Sequence, residues 1–162
     1  MNLRVLIVTL FVTSISPSVF GQAAGSRGEA VSFVNSPDIN TPPGFTHSVV
    51  INSGKIVFVS GQVGLDKQGQ MVGTDNFRAQ TNQSFQNLKA VLAAAGAKPE
   101  NVVKLTYYVV GLNHERLAAL REIRNAFVGK VNPPTSTLVG VAALFREDAL
   151  VEIEAVAVIP ER

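Results

Sequence analysis

Residues 150–158, LVEIEAVAV, form an apolar strand pattern that two carboxylates interrupt. Because side chains alternate between the two faces of a strand, Glu152 and Glu154 lie on the same face. An unpaired carboxylate on a half-buried face must find hydrogen-bond donors or take up a proton, so at least one of the two requires a partner. Two interpretations stay open: charges at a strand edge or interface, satisfied by backbone amides and an arginine, or part of a functional site.

The residues before this stretch predict two helices and five further strands. The first helix spans about residues 75–95 and stops at Gly96, and the second begins after the N-cap Asn113 and ends at Gly129. Turn residues at 52–54 and 145–148 predict two hairpins, each joining the strands on its two sides. The further strands are predicted at residues 30–34, 48–51, 55–60, 102–110 and 137–142.

The order of these elements predicts an α+β domain in which two helices cover one face of a mixed sheet. Two helices leave the other face of the sheet bare. A small domain with an apolar bare face usually buries that face against copies of itself. We therefore expect a homo-oligomer.

The first residues have the features of a secretory signal. Arg4 supplies a positive charge, the apolar run at residues 5–12 is too short to span a bilayer, and small residues precede a boundary at Gly21. We predict that residues 1–21 are a cleaved signal peptide, that residues 22–44 are a flexible N-terminus with a short strand, and that residues 45–162 form the domain. The mature protein is expected in the periplasm or outside the cell, without a membrane anchor.

Charge and composition argue against several classes of partner. Residues 1–21 hold one cation and no acid, so the formal charge of +2 falls to +1 after cleavage. The lysines and arginines are scattered, and no basic run is interleaved with aromatic residues, so we expect no nucleic-acid partner. Two distant histidines, no cysteine and no acidic cluster with chelating spacing predict no metal site.

Several sequence blocks together carry a family resemblance. They are VFVSGQ at 57–62, QT at 80–81, NLKA at 87–90, AAG at 94–96, VVKLT at 102–106 and VEIEAVA at 151–157. In this order they resemble the reactive intermediate deaminase (RidA/YjgF) family from about residue 45 to residue 159. The resemblance implies a chorismate-mutase-like α+β fold and a homotrimer around a barrel of sheets, with small-molecule clefts between subunits. It also implies cofactor-free hydrolysis of short enamines and imines to 2-keto acids and ammonia.

The resemblance also implies roles for individual residues. Glu152 matches the glutamate that positions or activates the attacking water, and Phe45 matches an aromatic residue of the cleft. Ser60 and Gly61 match the turn whose backbone groups shape the pocket. The family's arginine, which forks onto the substrate carboxylate, belongs to a Pro-Ala-Arg-Ser/Thr segment. The gapless match here is PTST at residues 134–137, which places Ser136 at the arginine position.

A serine cannot replace that arginine as a carboxylate ligand. A charge-assisted hydrogen bond contributes about 1.5 to 3 kcal/mol, so affinity should drop by roughly one to two powers of ten. Arg146 is the next arginine along the chain, in a predicted turn. Arg121 occupies a helix position that faces the cleft in the family and is an alternative carboxylate donor. However, the simplest interpretation of Arg121 and Arg124, on one stripe of the second helix, is a solvated face.

Two functions remain open on these grounds. The first is hydrolytic deamination of a small imine, with Glu152 as the base and with polar groups from Ser136, Thr137 and His47. The second is a non-catalytic trimer that binds a small metabolite in the same clefts. Ribonuclease activity is claimed for some members of the family, but the charge pattern of this chain does not support it. A lone histidine at the start of a strand is also more often structural than functional.

Overall fold

The structure is a computed structural model that describes residues 29–161. The predicted signal peptide and residues 22–28 of the predicted flexible segment lie outside the described residues. Within them, no helix is both long enough and apolar enough to cross a membrane. The strands are β1 Val31–Val34, β2 Ser48–Ile51, β3 Lys55–Gln62, β4 Val102–Val110, β5 Thr135–Val141 and β6 Val151–Ile159, and the helices are α1 Phe77–Ala94 and α2 His114–Val128.

The main sheet has the strand order β3-β6-β4-β5. β6 pairs antiparallel with both of its neighbours, whereas β4 and β5 pair in parallel through the α2 crossover. The sheet is therefore mixed, as predicted. Both helices pack on one face of it, which confirms the α+β, chorismate-mutase-like fold. β1 and β2 form a separate two-stranded ladder.

The two predicted hairpins are wrong. β2 pairs with β1 instead of β3, and β4 lies between β5 and β6. The turn at residues 52–54 instead closes onto the N-terminal segment, since the backbone N–H groups of Asn52 and Ser53 donate to the Ala30 carbonyl. A turn motif shows that the chain reverses, but it does not show which strand the reversed chain will pair with.

The helix boundaries follow the predicted signals. Asn76 and Asn113 cap α1 and α2, and their side-chain oxygens accept from the backbone N–H of Ala79 and Arg116. Gly129 ends α2 as predicted. The apolar stripes of both helices pack on the inner residues of β4 and β6, and Phe85 on α1 contacts Phe127 on α2 at a ring-centroid distance of 4.8 Å.

Candidate functional site

A β-bulge near the end of β3 places one group of predicted site residues. The register against β6 shifts between Val59 and Gln62, so one extra residue lies at the Ser60–Gly61 step. The Glu152 carboxylate lies directly over Gly61, because a Cβ there would be 1.7 Å from Glu152 Oε1. Only glycine permits this approach. We call Ser60, Gly61 and Glu152 the bulge group.

The second carboxylate of β6 has a different neighbourhood. Glu154 accepts a hydrogen bond from the Tyr108 hydroxyl at 3.4 Å, and its negative charge raises the pKa of that tyrosine. Glu154 also lines an open depression of about 400 Å³ that it shares with Ser60. Thr137 lies on the same face of the sheet, because its partner Thr106 on β4 also pairs with Glu154.

A second group of predicted site residues meets on the other face of the sheet. Phe45, Arg121 and Ser136 line one cavity of about 210 Å³ between α2, β5 and the loop before β2. We call this space the loop cavity. Its remaining lining residues, none of which the sequence analysis assigned to a site, are Pro43, Tyr107, Leu117, Leu120, Arg124 and Leu138.

The interpretation of the α2 arginines as a solvated face is wrong for Arg124. Arg124 is 8% exposed, and Arg121, one turn earlier, is exposed at the cavity. The Nε and Nη2 groups of Arg124 donate to Asn125 Oδ1 at 3.2 and 2.7 Å. The sequence predicted both arginines on the second helix, and both lie on α2. Their difference in burial comes from the loop that covers Arg124.

That loop is held by contacts distant in sequence. The Thr46 hydroxyl donates to the Pro133 carbonyl at 2.6 Å, and the Thr46 N–H donates to the Pro134 carbonyl at 3.3 Å. Gly44, at φ +114°, lies against Arg124, since a Cβ on Gly44 would be 2.7 Å from Arg124 Nη2. These contacts bring Phe45 to the cavity at the start of β5.

Tyr107 contributes a buried hydroxyl to the loop cavity. The residue is 2% exposed, and its hydroxyl has no hydrogen-bond partner among residues 29–161. Burial raises the pKa of this hydroxyl well above its usual value, and the nearby Arg124 cation and Ser136 side chain offset only part of the effect. Ser136 is therefore close to the Tyr107 hydroxyl without satisfying it.

Two candidate residues lie away from both groups. The His47 ring accepts at Nδ1 from the Ser36 N–H, so Nε2 carries the proton and donates to the Asn40 carbonyl, both at 3.1 Å. The hydrogen bonds of both ring nitrogens thus stabilise the proline-rich loop, and His47 does not line the loop cavity. Arg146 forms a bidentate ion pair with Asp148, in which Nε donates to Oδ1 at 2.9 Å and Nη2 donates to Oδ2 at 2.7 Å. This pair lowers the pKa of the Asp148 carboxyl.

The structure thus separates the predicted site residues into two places. The bulge group lies at the β3–β6 end of the sheet on the bare face, and the loop cavity lies at the β4–β5 end on the helix face. Ser136 and Thr137, adjacent in sequence, point to opposite faces of β5. Within residues 29–161 no group of three or more histidine, cysteine or acidic side chains is arranged to hold a metal ion.

The fold and the two polar clefts define an α+β protein of the chorismate-mutase-like class. The chain belongs to the RidA/YjgF family, since the profile of the family described as Endoribonuclease L-PSP matches residues 39–159. A Dermatophagoides farinae protein named 2-iminobutanoate/2-iminopropanoate deaminase is 35% identical over 113 residues, which are 70% of this chain and 85% of that protein.

Solved structures give the same assignment. The Rid family protein YyfB from Yersinia pestis, described as of unknown function, has a TM-score of 0.74 and 36% identity, covering 81% of this chain and 100% of YyfB. Escherichia coli TdcF, solved with bound serine, has a TM-score of 0.57 and 30% identity, covering 68% of this chain and 85% of TdcF.

Proposed function

We propose that this protein is a cofactor-free hydrolase that deaminates small imines or enamines bearing a carboxylate. The observation that carries the proposal is the position of Glu152, whose carboxylate lies over the Gly61 backbone at a bulge on the bare face of the sheet. A carboxylate beside exposed backbone groups can orient a water molecule. The relative named as an imine deaminase supports the same reaction class.

In the proposed reaction, Glu152 takes a proton from water while the water oxygen bonds to the imine carbon. The electron pair of the C=N bond moves to nitrogen, which takes up a proton. In the resulting carbinolamine the C–N bond breaks as Glu152 returns its proton to the departing nitrogen, so that ammonia leaves. The hydroxyl group becomes the keto C=O and loses its proton to solvent, which balances the proton that the nitrogen took from solvent in the first step. The products are a 2-keto acid and ammonia, so neither an oxidant nor a reductant is required.

The active site requires a second copy of the chain. The bulge group and the loop cavity lie at opposite ends and on opposite faces of one sheet, so one chain cannot present both to a small ligand. A homotrimer with the bare faces turned inward, as the family resemblance implies, would place the bulge group of one subunit beside the loop cavity of its neighbour. We further propose that residues 1–21 direct the protein to the periplasm or the exterior.

Replacement of Glu152 tests this function against a matched variant two residues away. Glu152→Gln keeps the shape and removes the base, so turnover of 2-iminobutanoate generated in the assay should fall by about a hundredfold or more. The free energy of unfolding should change little. Glu154→Gln should retain turnover and lose stability or assembly, because Glu154 pairs with Tyr108. The reverse pattern would reject Glu152 as the base.

A non-catalytic binding function is the alternative, and the serine at position 136 favours it. A chain without the strand arginine has lost a group that fixes the substrate carboxylate for reaction in its relatives. The same assay separates the two functions. A wild-type protein that binds 2-oxobutanoate but forms keto acid from the imine no faster than the uncatalysed reaction is a binder.

A further inference from the structure

The loop cavity carries a positive charge that forms no ion pair with any residue in the range 29–161. Arg121 and Arg124 both line it, and its lining contains no aspartate or glutamate. Neither of the two ion pairs found within residues 29–161 includes either arginine. A cation that is mostly removed from water is costly unless an anion or a set of acceptors compensates it. Arg124, at 8% exposure, is in this situation.

The guanidinium of Arg124 is held in one orientation. Asn125 Oδ1 accepts from its Nε and Nη2 groups, and the Gly44 backbone packs against Nη2. The hydrogen bonds that Arg124 makes within residues 29–161 thus use one edge of the fork, and the Nη1 amino group remains for a ligand. A guanidinium fixed in this way can donate a charge-assisted hydrogen bond from Nη1 to an oxygen of a bound anion.

The Tyr107 hydroxyl is a second, independent indication of a ligand. It is buried, it faces the same cavity, and it has no hydrogen-bond partner in the described part of the chain. A buried hydroxyl without a partner lowers stability, and such groups are uncommon in native structures. An oxygen of a bound anion would accept from it. The Ser136 hydroxyl lines the same wall.

We infer that Arg124, Tyr107 and Ser136 form a carboxylate-binding subsite for a small acid with a short apolar chain. The inference rests on the proposed function and specifies its substrate class: the guanidinium comes from α2 and replaces the arginine that β5 lacks. The volume of about 210 Å³ restricts the ligand to a small molecule. The apolar side chains that would contact its hydrocarbon part are Phe45, Leu117, Leu120 and Leu138.

Calorimetric titration of the full-length protein with sodium 2-oxobutanoate tests this subsite without any need for turnover. Arg124→Gln should weaken binding by about ten- to a hundredfold, the loss expected for a charge-assisted hydrogen bond. Lys89→Gln is the matched control, since it removes a positive charge at an exposed position of α1 that does not line the cavity, and it should weaken binding less than about threefold. The reverse order of the two effects, or equal affinity for the uncharged methyl ester, would overturn the inference.

Two further variants keep the inference testable if Arg124→Gln does not fold. Arg124→Lys retains the charge and loses the planar fork, so it should also bind more weakly than the wild type. Tyr107→Phe removes a hydroxyl that has no partner within the described residues, so its melting temperature should be equal or higher while 2-oxobutanoate binding falls severalfold. A purely structural role for the hydroxyl would leave binding unchanged, and that result would contradict the subsite.

The outcomes also separate this inference from the proposed function. Binding that depends on Arg124, without turnover of imines, would support the subsite and reject the deaminase. Turnover that depends on Glu152 but is unaffected by Arg124→Gln would support the deaminase and reject the subsite.

Discussion

At the scale of single residues, burial gives Arg121 and Arg124 different roles. Arg121 and Arg124 lie on the same stripe of α2, and the pattern of apolar and charged residues does not show which of them is buried. In the structure Gly44 packs on Arg124, and Arg121 remains exposed. A contact between residues far apart in the chain thus converts one arginine from a surface charge into a candidate ligand group.

The two tyrosines give a spectroscopic prediction at this scale. Tyr107 and Tyr108 are the only tyrosines and the chain has no tryptophan, so tyrosinate absorbance reports on them alone. Burial raises the pKa of Tyr107, and the charge of Glu154 raises that of Tyr108. The folded protein should therefore show little ionisation near pH 10, where an unfolded tyrosine titrates.

The same raised pKa values predict that the free energy of unfolding falls at high pH. A raised pKa favours the neutral hydroxyl in the folded state, so this contribution to stability is complete below about pH 10 and is lost as the pH rises above that value. In the Tyr108→Phe protein Tyr107 is the only tyrosine left. It should ionise at a higher pH than Tyr108 does in the wild type. Ionisation of the folded Tyr108→Phe protein at the pH of the urea-unfolded chain would contradict the burial of this hydroxyl.

At the scale of elements, a buried glutamine connects α1 to the start of β6. Gln80 donates to the Asp148 carbonyl and accepts from the Leu150 N–H, both at 2.8 Å. Asn87, one of the residues that carry the family resemblance, likewise donates to the carbonyls of Val63 and Leu65. Gln80 therefore holds the start of the strand that presents Glu152, whereas Asn87 holds the segment after β3. Neither residue lines either cleft.

Removal of the Gln80 side chain should destabilise the domain. Gln80→Ala leaves a partly buried N–H and a partly buried carbonyl without their partner and opens a cavity at a fully buried position, so the free energy of unfolding should fall by about 2 kcal/mol or more. Gln86→Ala, at an exposed position on the same helix, should change it by less than about 0.5 kcal/mol. Urea denaturation measures both. Equal, small effects would show that the bridge to β6 contributes little.

At the scale of the whole molecule, the bare face of the sheet is the surface on which assembly would occur. Phe58 is 80% exposed on this face, and Ile56, on the same side of β3, is also exposed. Lysine at position 58 would place a charge in the centre of any interface there, so Phe58→Lys should convert the expected trimer to smaller species. Light scattering coupled to gel filtration measures the mass.

Val131 provides the control for this assembly prediction. It is 83% exposed, like Phe58, but lies in the loop before β5 instead of on the sheet. Val131→Lys should leave the oligomer unchanged. A stable monomer for the wild-type protein, or dissociation of the Val131 variant alone, would exclude the bare face as the interface and would remove the basis for a shared active site.

The sequence by itself determined the features that depend on neighbouring residues. The approximate extents of both helices, the Asn113 cap of α2, the alternation that puts Glu152 and Glu154 on one face of β6, and the α+β class all follow from patterns within a few residues of each other. The roles of Glu152 and of Ser136 stay predictions that follow from the family resemblance.

Only the tertiary structure decided which strands pair and where the polar groups meet. Strand pairing depends on hydrogen bonds between distant segments, and so both predicted hairpins failed although the chain does turn there. The alternation along β5 sends Ser136 to one face and Thr137 to the other. The loop cavity forms because Thr46 binds the carbonyls of Pro133 and Pro134, which holds Gly44 against Arg124. The hydrogen-bonded segments are nearly ninety residues apart, and no local pattern encodes their contact.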